Sequence, residues 1–142
     1  MIRLQQTEYS PGPDTMKKLT LIIAFALFTV SSISGAHGEK SITAADLDAL
    51  IVAGNAPLIL DVRSQDEFAS GHIPGAVNIP HTELEARIAE LDGHKNNTIV
   101  LHCRSGRRAV SADAVLHRKG FTKITELEGH MLSWEAGGHP VE

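Results

Sequence analysis

The stretch that decides the fold is TIVLHCRSGRRAVSADAVLHRKG, residues 98–120. It opens with an apolar run, 98–102, that is typical of a buried strand, and it closes with a segment, 108–119, whose apolar residues recur at helical spacing. A short polar loop, 103–108, joins the two, and Gly120 ends the helix. A strand that leads through a tight loop into a helix is the building unit of an α/β fold with a parallel sheet. The residues expected on the inward face of this helix are Val110, Ala114 and Val115.

The rest of the chain, from residue 41 onward, repeats this alternation of strand and helix. Short apolar runs predict further strands at 58–62, 76–79 and 123–127. Helices are expected to open at 41–46, with Thr43 as the cap, at Ser64–Glu67, a capping box, and at Thr82, with Leu84, Ile88 and Leu91 on one face. We therefore predict an α/β fold with a mostly parallel central sheet of about five strands, flanked by helices. A short last helix is expected around Trp134.

Residues 1–36 have the pattern of an export signal rather than of a folded domain. Residues 16–18 (MKK) precede an unbroken apolar-rich stretch, 19–30, and small residues follow as far as Ala36. These are the parts of a secretory signal peptide. We expect an N-terminal extension and this signal over 1–36, with Met16 the true start, cleavage after Ala36, and a folded domain over 37–142. We therefore expect a periplasmic protein that has no stable membrane association after cleavage. The alternative is an uncleaved membrane anchor, but the apolar stretch is shorter than a membrane-spanning helix needs.

Charge and histidine spacing limit the classes of partner. The chain carries 13 Lys and Arg against 17 Asp and Glu, a formal net charge of −4. This argues against nucleic-acid binding, which needs a basic face. The 8 histidines show no close ligand spacing such as His-x3-His, so we predict no metal and no other cofactor.

The single cysteine, Cys103, lies where an α/β fold places its sites, at the carboxyl end of a strand. Arg104, Arg107 and Arg108 follow it closely, and Gly106 permits a backbone path closed to most residues. Inward-turned N–H groups, the helix N-terminus and the guanidinium groups would all favour the thiolate and bind a small anion. We therefore expect a nucleophile in an anion-binding cup, which any of the three arginines could line. The alternative is a buried inert cysteine, because free cysteines are often buried.

The spacing of the loop also bears on other cysteine chemistries. Cysteine phosphatases, like arsenate reductases of related fold, carry an arginine six residues after the nucleophile. That position is Ala109 here, and the arginine comes one residue earlier, at Arg108. The smaller ring should favour attack on sulfur over binding of a full phosphoryl group. Another possibility is a sulfur-carrier or sensing module that receives its sulfur from a partner protein and has little turnover alone.

The loop at 103–108, together with LDVRSQDEFASGHIPGAVNIP at 60–80, resembles the rhodanese family. The resemblance extends over residues 41–140 and implies a rhodanese-like fold and thiosulfate sulfurtransferase activity. Cys103 would attack the outer sulfur of thiosulfate, become a persulfide, and pass the sulfur to cyanide or to a thiol acceptor. The residues that would bind the anionic donor and hold the persulfide are Arg104, Ser105, Gly106, Arg107 and Arg108.

Four further residues near the two motifs are given supporting roles. Asp61 and Arg63 follow the first predicted strand and are expected to form a structural ion pair or hydrogen-bond set that holds the neighbouring loop. His102 is expected to be a packed, satisfied histidine. The chain departs from the family pattern at His130, where EGH replaces the usual Gly-Gly, and this should alter the pocket wall beside Trp134.

Overall fold

A computed structural model describes residues 40–142, so the expectations for residues 1–36, Met16 and Ala36 lie outside the described residues. Along the chain these residues form β1 (Ser41–Ile42), α1 (Ala44–Val52), β2 (Leu58–Asp61), α2 (Gln65–Ala69), β3 (Val77–Asn78), a 3₁₀ helix (Ile88–His94), β4 (Ile99–His102), α3 (Arg107–Arg118), β5 (Ile124–Leu127) and α4 (His130–Ala136). No helix within this described part is long and apolar enough to cross a membrane.

The five strands form one parallel sheet in the order β1-β5-β4-β2-β3. The predicted α/β fold, with its mostly parallel sheet of about five strands, is confirmed. β4 lies at the centre, and its last residue, His102, is in register with Asp61 at the end of β2. The carboxyl ends of these two strands therefore meet at one edge of the sheet, where ligand sites of such folds form.

Two apolar clusters, one on each face of the sheet, hold the helices in place. Because successive side chains of a strand point to opposite faces, Ile99 and Leu101 of β4 join the cluster that contains Leu116 of α3. Val100 joins the other cluster, with Trp134 of α4. Trp134 is fully buried, as expected for the anchor of the last helix. Helices α3 and α4 are thus fixed on opposite faces, and both begin near the end of β4.

The strand β1 was not predicted. The sequence indicated that a helix opens within residues 41–46, but Ser41–Ile42 pairs with β5 and the helix begins at Ala44. The Thr43 side chain accepts the N–H of Asp46, as the capping signal predicted. A strand of two residues has no periodicity to read, and its existence depends on the neighbouring strand.

The α-helix predicted after Thr82 is wrong. Turns follow Pro80, and a 3₁₀ helix forms at Ile88–His94. Leu84 and Leu91 are nevertheless buried. A spacing of three residues, as between positions 88 and 91, aligns side chains in a 3₁₀ helix as well as in an α-helix, so burial of this face does not require the α form.

The inward face predicted for α3 is also wrong in part. Val110 is 65% exposed and Ala114 is exposed, whereas Val115 packs against the core. The helix begins at Arg107, and its fully buried residues are Ala109, Ala112 and Leu116. The two alanines allow the helix backbone to lie close to the sheet, a preference for small size that a search for large apolar residues misses.

Candidate active site

The loop after β4 turns back over the sulfur of Cys103. β4 ends at His102 and α3 begins at Arg107, so residues 103–106 make the whole connection. The N–H of Gly106 donates a hydrogen bond to Cys103 Sγ at 3.1 Å. Gly106 has φ +106°, a left-handed conformation that favours glycine. The tight turn therefore brings a main-chain donor onto the sulfur.

The first turn of α4 fixes the outer side of this loop. The N–H groups of Met131 and Leu132 donate to the carbonyls of Cys103 and Arg104, at 3.0 and 3.2 Å. N–H groups in the first turn of a helix have no partner within the helix, so the loop carbonyls satisfy them. Because C=O and the following N–H point in opposite directions across a trans peptide, the amides of Arg104 and Ser105 face away from α4.

Cys103 is 1% exposed, the degree of burial that is usual for an inert core cysteine. Its surroundings differ from those of an inert core cysteine, because a charged side chain lies beside it. The pKa of Arg108 is raised, chiefly by its hydrogen bonds to Glu67 and also by the Cys103 thiol. The guanidinium of Arg108, in the first turn of α3, therefore interacts with the Cys103 side chain.

Arg108 is held by the helix that follows β2. Its two terminal nitrogens donate to the two carboxylate oxygens of Glu67, at 2.5 and 2.8 Å. The same carboxylate closes the capping box with Ser64, as the sequence predicted. The hydrogen bond to Arg108 lowers the pKa of Glu67 to about 2. The pair is part-buried and ties α2 to the start of α3.

The other predicted substrate-binding residues lie further out. Arg104, Ser105 and Arg107 are exposed. Arg104 borders an open cavity of about 250 Å³, whose other charged lining residues are Arg63, Glu67 and Glu135. The structure therefore brings Gly106 and Arg108 to the sulfur and leaves the side chains of residues 105 and 107 at the surface.

Asp61 and Arg63 form a buried ion pair under the neighbouring loop. The Arg63 Nη2 donates to Asp61 Oδ2 at 2.6 Å and to the carbonyl of Gly71 at 2.9 Å. The backbone N–H of Arg63 also donates to Asp61 Oδ1 at 2.9 Å. Asp61 is fully buried and Arg63 is 2% exposed. The pair fixes residues 63–71, the segment that carries Glu67, relative to the end of β2.

Two histidines complete the surroundings of the cysteine. The His102 ring is fully buried, as expected for a packed histidine, and its Nδ1 lies 3.3 Å from the Cys103 carbonyl. Its Nε2 has no hydrogen-bond partner among the described residues and lies 3.8 Å from Asp61 Oδ2, so the expectation that this histidine is satisfied is wrong for that nitrogen. His130 Nδ1 accepts the N–H of Cys103 at 3.4 Å. The sequence predicts His130 only in the pocket wall; the departure from Gly-Gly is the one signal in it of a role in the loop.

Several known proteins are similar to this chain in sequence or in fold. An HTH-type transcriptional regulator of Mycobacterium tuberculosis is 41% identical over 73% of this chain, which spans only 45% of that protein. The human thiosulfate:glutathione sulfurtransferase is 31% identical, over 68% of this chain and 94% of the human protein. A rhodanese-related protein from Thermoplasma volcanium superposes with a TM-score of 0.62 and 34% identity, over 72% of this chain and 97% of its own.

The family profile described as Rhodanese-like domain matches residues 43–137. This range begins at the cap of α1 and ends directly after α4. It therefore contains the central strands, the cysteine loop and both segments that hold the loop in place. The chain belongs to the rhodanese-like domain family.

Proposed function

We propose that this protein is a thiosulfate sulfurtransferase, which moves sulfane sulfur through a persulfide on Cys103. The observation that carries the proposal is the hydrogen bond from the Gly106 N–H to the Cys103 sulfur, with the Arg108 guanidinium held by Glu67 at the start of the helix that follows. Both groups stabilise negative charge on that sulfur. The same groups suit an anionic donor and an anionic persulfide.

The reaction balances as two displacements at sulfur. The Cys103 thiolate attacks the outer sulfur of thiosulfate, the sulfur–sulfur bond of thiosulfate breaks, and sulfite leaves with the bonding electron pair. The outer sulfur of the resulting persulfide then accepts the electron pair of cyanide or of an acceptor thiolate. The bond to Cys103 breaks, and the Cys103 thiolate is restored. The donor product leaves before the acceptor reacts, so the kinetics should be ping-pong.

The chain's own groups would do three things in these steps. The Gly106 N–H is aimed at the sulfur and would stabilise its charge before and after attack. Arg108 would attract the dianionic donor, while Glu67 holds the guanidinium in place. Exposed Arg104, at the edge of the adjoining cavity, would contribute to the attraction from the outside.

The thiosulfate and thiol substrates are supported by the human relative, whose name gives thiosulfate as donor and glutathione as acceptor. The position six residues after Cys103, where cysteine phosphatases and arsenate reductases carry an arginine, is Ala109 here, and it is fully buried in α3. This argues against both activities. A carrier or sensing module with little turnover remains the alternative. The mycobacterial regulator that carries a similar segment favours keeping it as the second candidate.

Steady-state assays separate these candidates. The purified domain is supplied with thiosulfate and cyanide, and thiocyanate is measured, with Cys103→Ser as the control. Turnover that vanishes in the control supports the sulfurtransferase. A stable persulfide that cyanide does not discharge would favour the carrier. Hydrolysis of an aryl phosphate that depends on Cys103 would overturn the proposal in favour of a phosphatase.

We also propose that the protein acts in the periplasm after removal of a signal peptide. The basic residues, the apolar stretch 19–30 and the small residues before Ala36 support this. N-terminal sequencing of protein recovered from the periplasmic fraction of a bacterial host tests it. A chain that begins close to residue 37 is expected, and an uncleaved chain retained in the membrane fraction would contradict the proposal.

A further inference from the structure

The ring of His130 lies against both ends of the loop that carries the cysteine. Its Nδ1 accepts the N–H of Cys103. At the other end of the loop, a Cβ atom on Gly106 would lie 2.8 Å from His130 Nε2. The imidazole therefore contacts the residue that carries the sulfur and the residue whose N–H binds it.

The backbone is bent to bring the ring there. His130 has φ +56° and follows Gly129 with φ +65°. A left-handed conformation is uncommon for a residue other than glycine. His130 is 8% exposed, although it begins a helix at the surface of the fold. A strained conformation at such a place is a reason to look for a function.

Only one protonation state of the ring is compatible with the observed bond. Nδ1 can accept the Cys103 N–H when the imidazole is neutral and its proton is on Nε2. In the imidazolium both nitrogens are donors, so two N–H groups would face each other at Cys103. The loop would then have to move away from α4 or leave a buried donor unpaired, which is costly.

From this geometry we propose that His130 is a positioning residue for sulfur transfer. Its neutral imidazole holds the loop so that the Gly106 N–H points at the Cys103 sulfur, and its protonation releases the loop and slows transfer. The proposal rests on the sulfurtransferase function proposed above, but its structural part is testable without it.

The groups around the ring are consistent with a neutral imidazole near neutral pH. Burial lowers the pKa of His130 from its ordinary 6.5. From β4, His102 faces the site, and burial lowers its pKa too. Asp61 Oδ2 lies 3.8 Å from His102 Nε2 and is paired with Arg63. The loop contributes the Cys103 thiol, and the first turn of α3 contributes Arg108, which is bound to Glu67. Protonation of His130 is therefore expected below its ordinary range.

A matched substitution separates titration from shape. Asn in place of His130 can accept the same N–H through its side-chain oxygen and tolerates left-handed backbone, but it does not titrate. The rate of persulfide formation from thiosulfate is measured in a single turnover between about pH 7.5 and about pH 5, for wild type and for His130→Asn. Each profile is normalised to its own value at the high-pH end, so that only the shapes of the two profiles are compared.

Relative to His130→Asn, wild type should lose about tenfold more rate on acidification, the order expected for one unpaired buried donor. Superimposable profiles would overturn the proposal. Because the variant could fail to fold, nuclear magnetic resonance of the wild type gives a second test. The His130 ring and the Cys103 and Gly106 amides should titrate with one midpoint. Titration of the ring without movement of those amides would overturn the proposal, even if the protein transfers no sulfur.

Discussion

Arg108 and Glu67 form a two-point ion pair between α3 and α2, and this pair sets the charge beside the cysteine. The guanidinium interacts with the Cys103 side chain, while the carboxylate that binds it belongs to the capping box of another helix. The capping signal at Ser64–Glu67 therefore has a second use. The pair anchors an arginine that would otherwise be a flexible surface side chain.

Removing this arginine should weaken the use of thiosulfate. Arg108→Ala removes a cation that attracts the dianion, and it leaves the Glu67 carboxylate unpaired, which repels the dianion. Both effects weaken binding. We expect KM for thiosulfate to rise about tenfold at low ionic strength and clearly less at about 0.5 M salt, where charges are screened.

The control is Arg118→Ala, which makes the same change of charge about 15 Å further along α3 and should alter KM little. The double variant Glu67→Gln/Arg108→Ala should recover part of the loss. Equal losses of Arg108→Ala at both salt concentrations would mean that the arginine acts through structure.

The same ion pair predicts an acid-dependent part of the stability. The pKa of Glu67 falls from 4.5 to about 2 on folding. A lowered pKa of an acid contributes stability that is complete above the unfolded value and is lost as pH falls through the folded value. Between about pH 5 and about pH 2, wild type should lose about 1 kcal/mol more unfolding free energy than Glu67→Gln, after allowance for solvent around the part-buried pair.

Urea unfolding across this pH range, with the two proteins compared at each pH, measures the difference. Identical pH dependence of wild type and Glu67→Gln would show that the pair contributes nothing to the stability of the fold.

Glycine at position 106 should be required for two separate reasons. Gly106→Ala meets a left-handed φ, and the new Cβ would lie 2.8 Å from the His130 ring. We expect the rate of persulfide formation to fall more than tenfold. Gly54→Ala is the control for the backbone effect alone, since φ there is +70° and no atom lies within 4 Å of the new Cβ. That variant should lose stability but keep its rate; a similar loss of rate in both would refute a specific role of the loop.

The buried pair of Asp61 and Arg63 should matter for stability far more than exposed pairs. Asp61→Asn leaves a guanidinium that is 2% exposed without its carboxylate, and breaking a buried pair in this way costs about 3–5 kcal/mol. Glu83→Gln, which removes an exposed partner of Arg87, should cost less than about 1 kcal/mol. Unfolding free energies from denaturant titration decide the matter, and a loss at Asp61 no larger than at Glu83 would contradict the structural role.

The central part of the fold could be predicted because its signals are local. The apolar runs before Asp61 and Cys103, the capping box at Ser64 and the glycine at 106 each report on their own neighbourhood. β1 and the inward face of α3 could not be predicted, because they depend on which surface of the sheet lies opposite. Arg108 was identified as a candidate, but its anchoring by Glu67, 41 residues away in the chain, is a tertiary contact. The contact of His130 with the cysteine loop could not be predicted for the same reason, since only the fold brings α4 against the loop.

Because Cys103 is buried, the most direct test of the proposed function is whether its sulfur reacts with thiosulfate. The folded domain is incubated with thiosulfate, and the intact protein and the peptide that contains residue 103 are weighed by mass spectrometry, beside Cys103→Ser. We predict a gain of one sulfur atom on Cys103, absent in the serine variant and removed by cyanide. A folded wild-type protein that gains no sulfur from thiosulfate would contradict the proposed function.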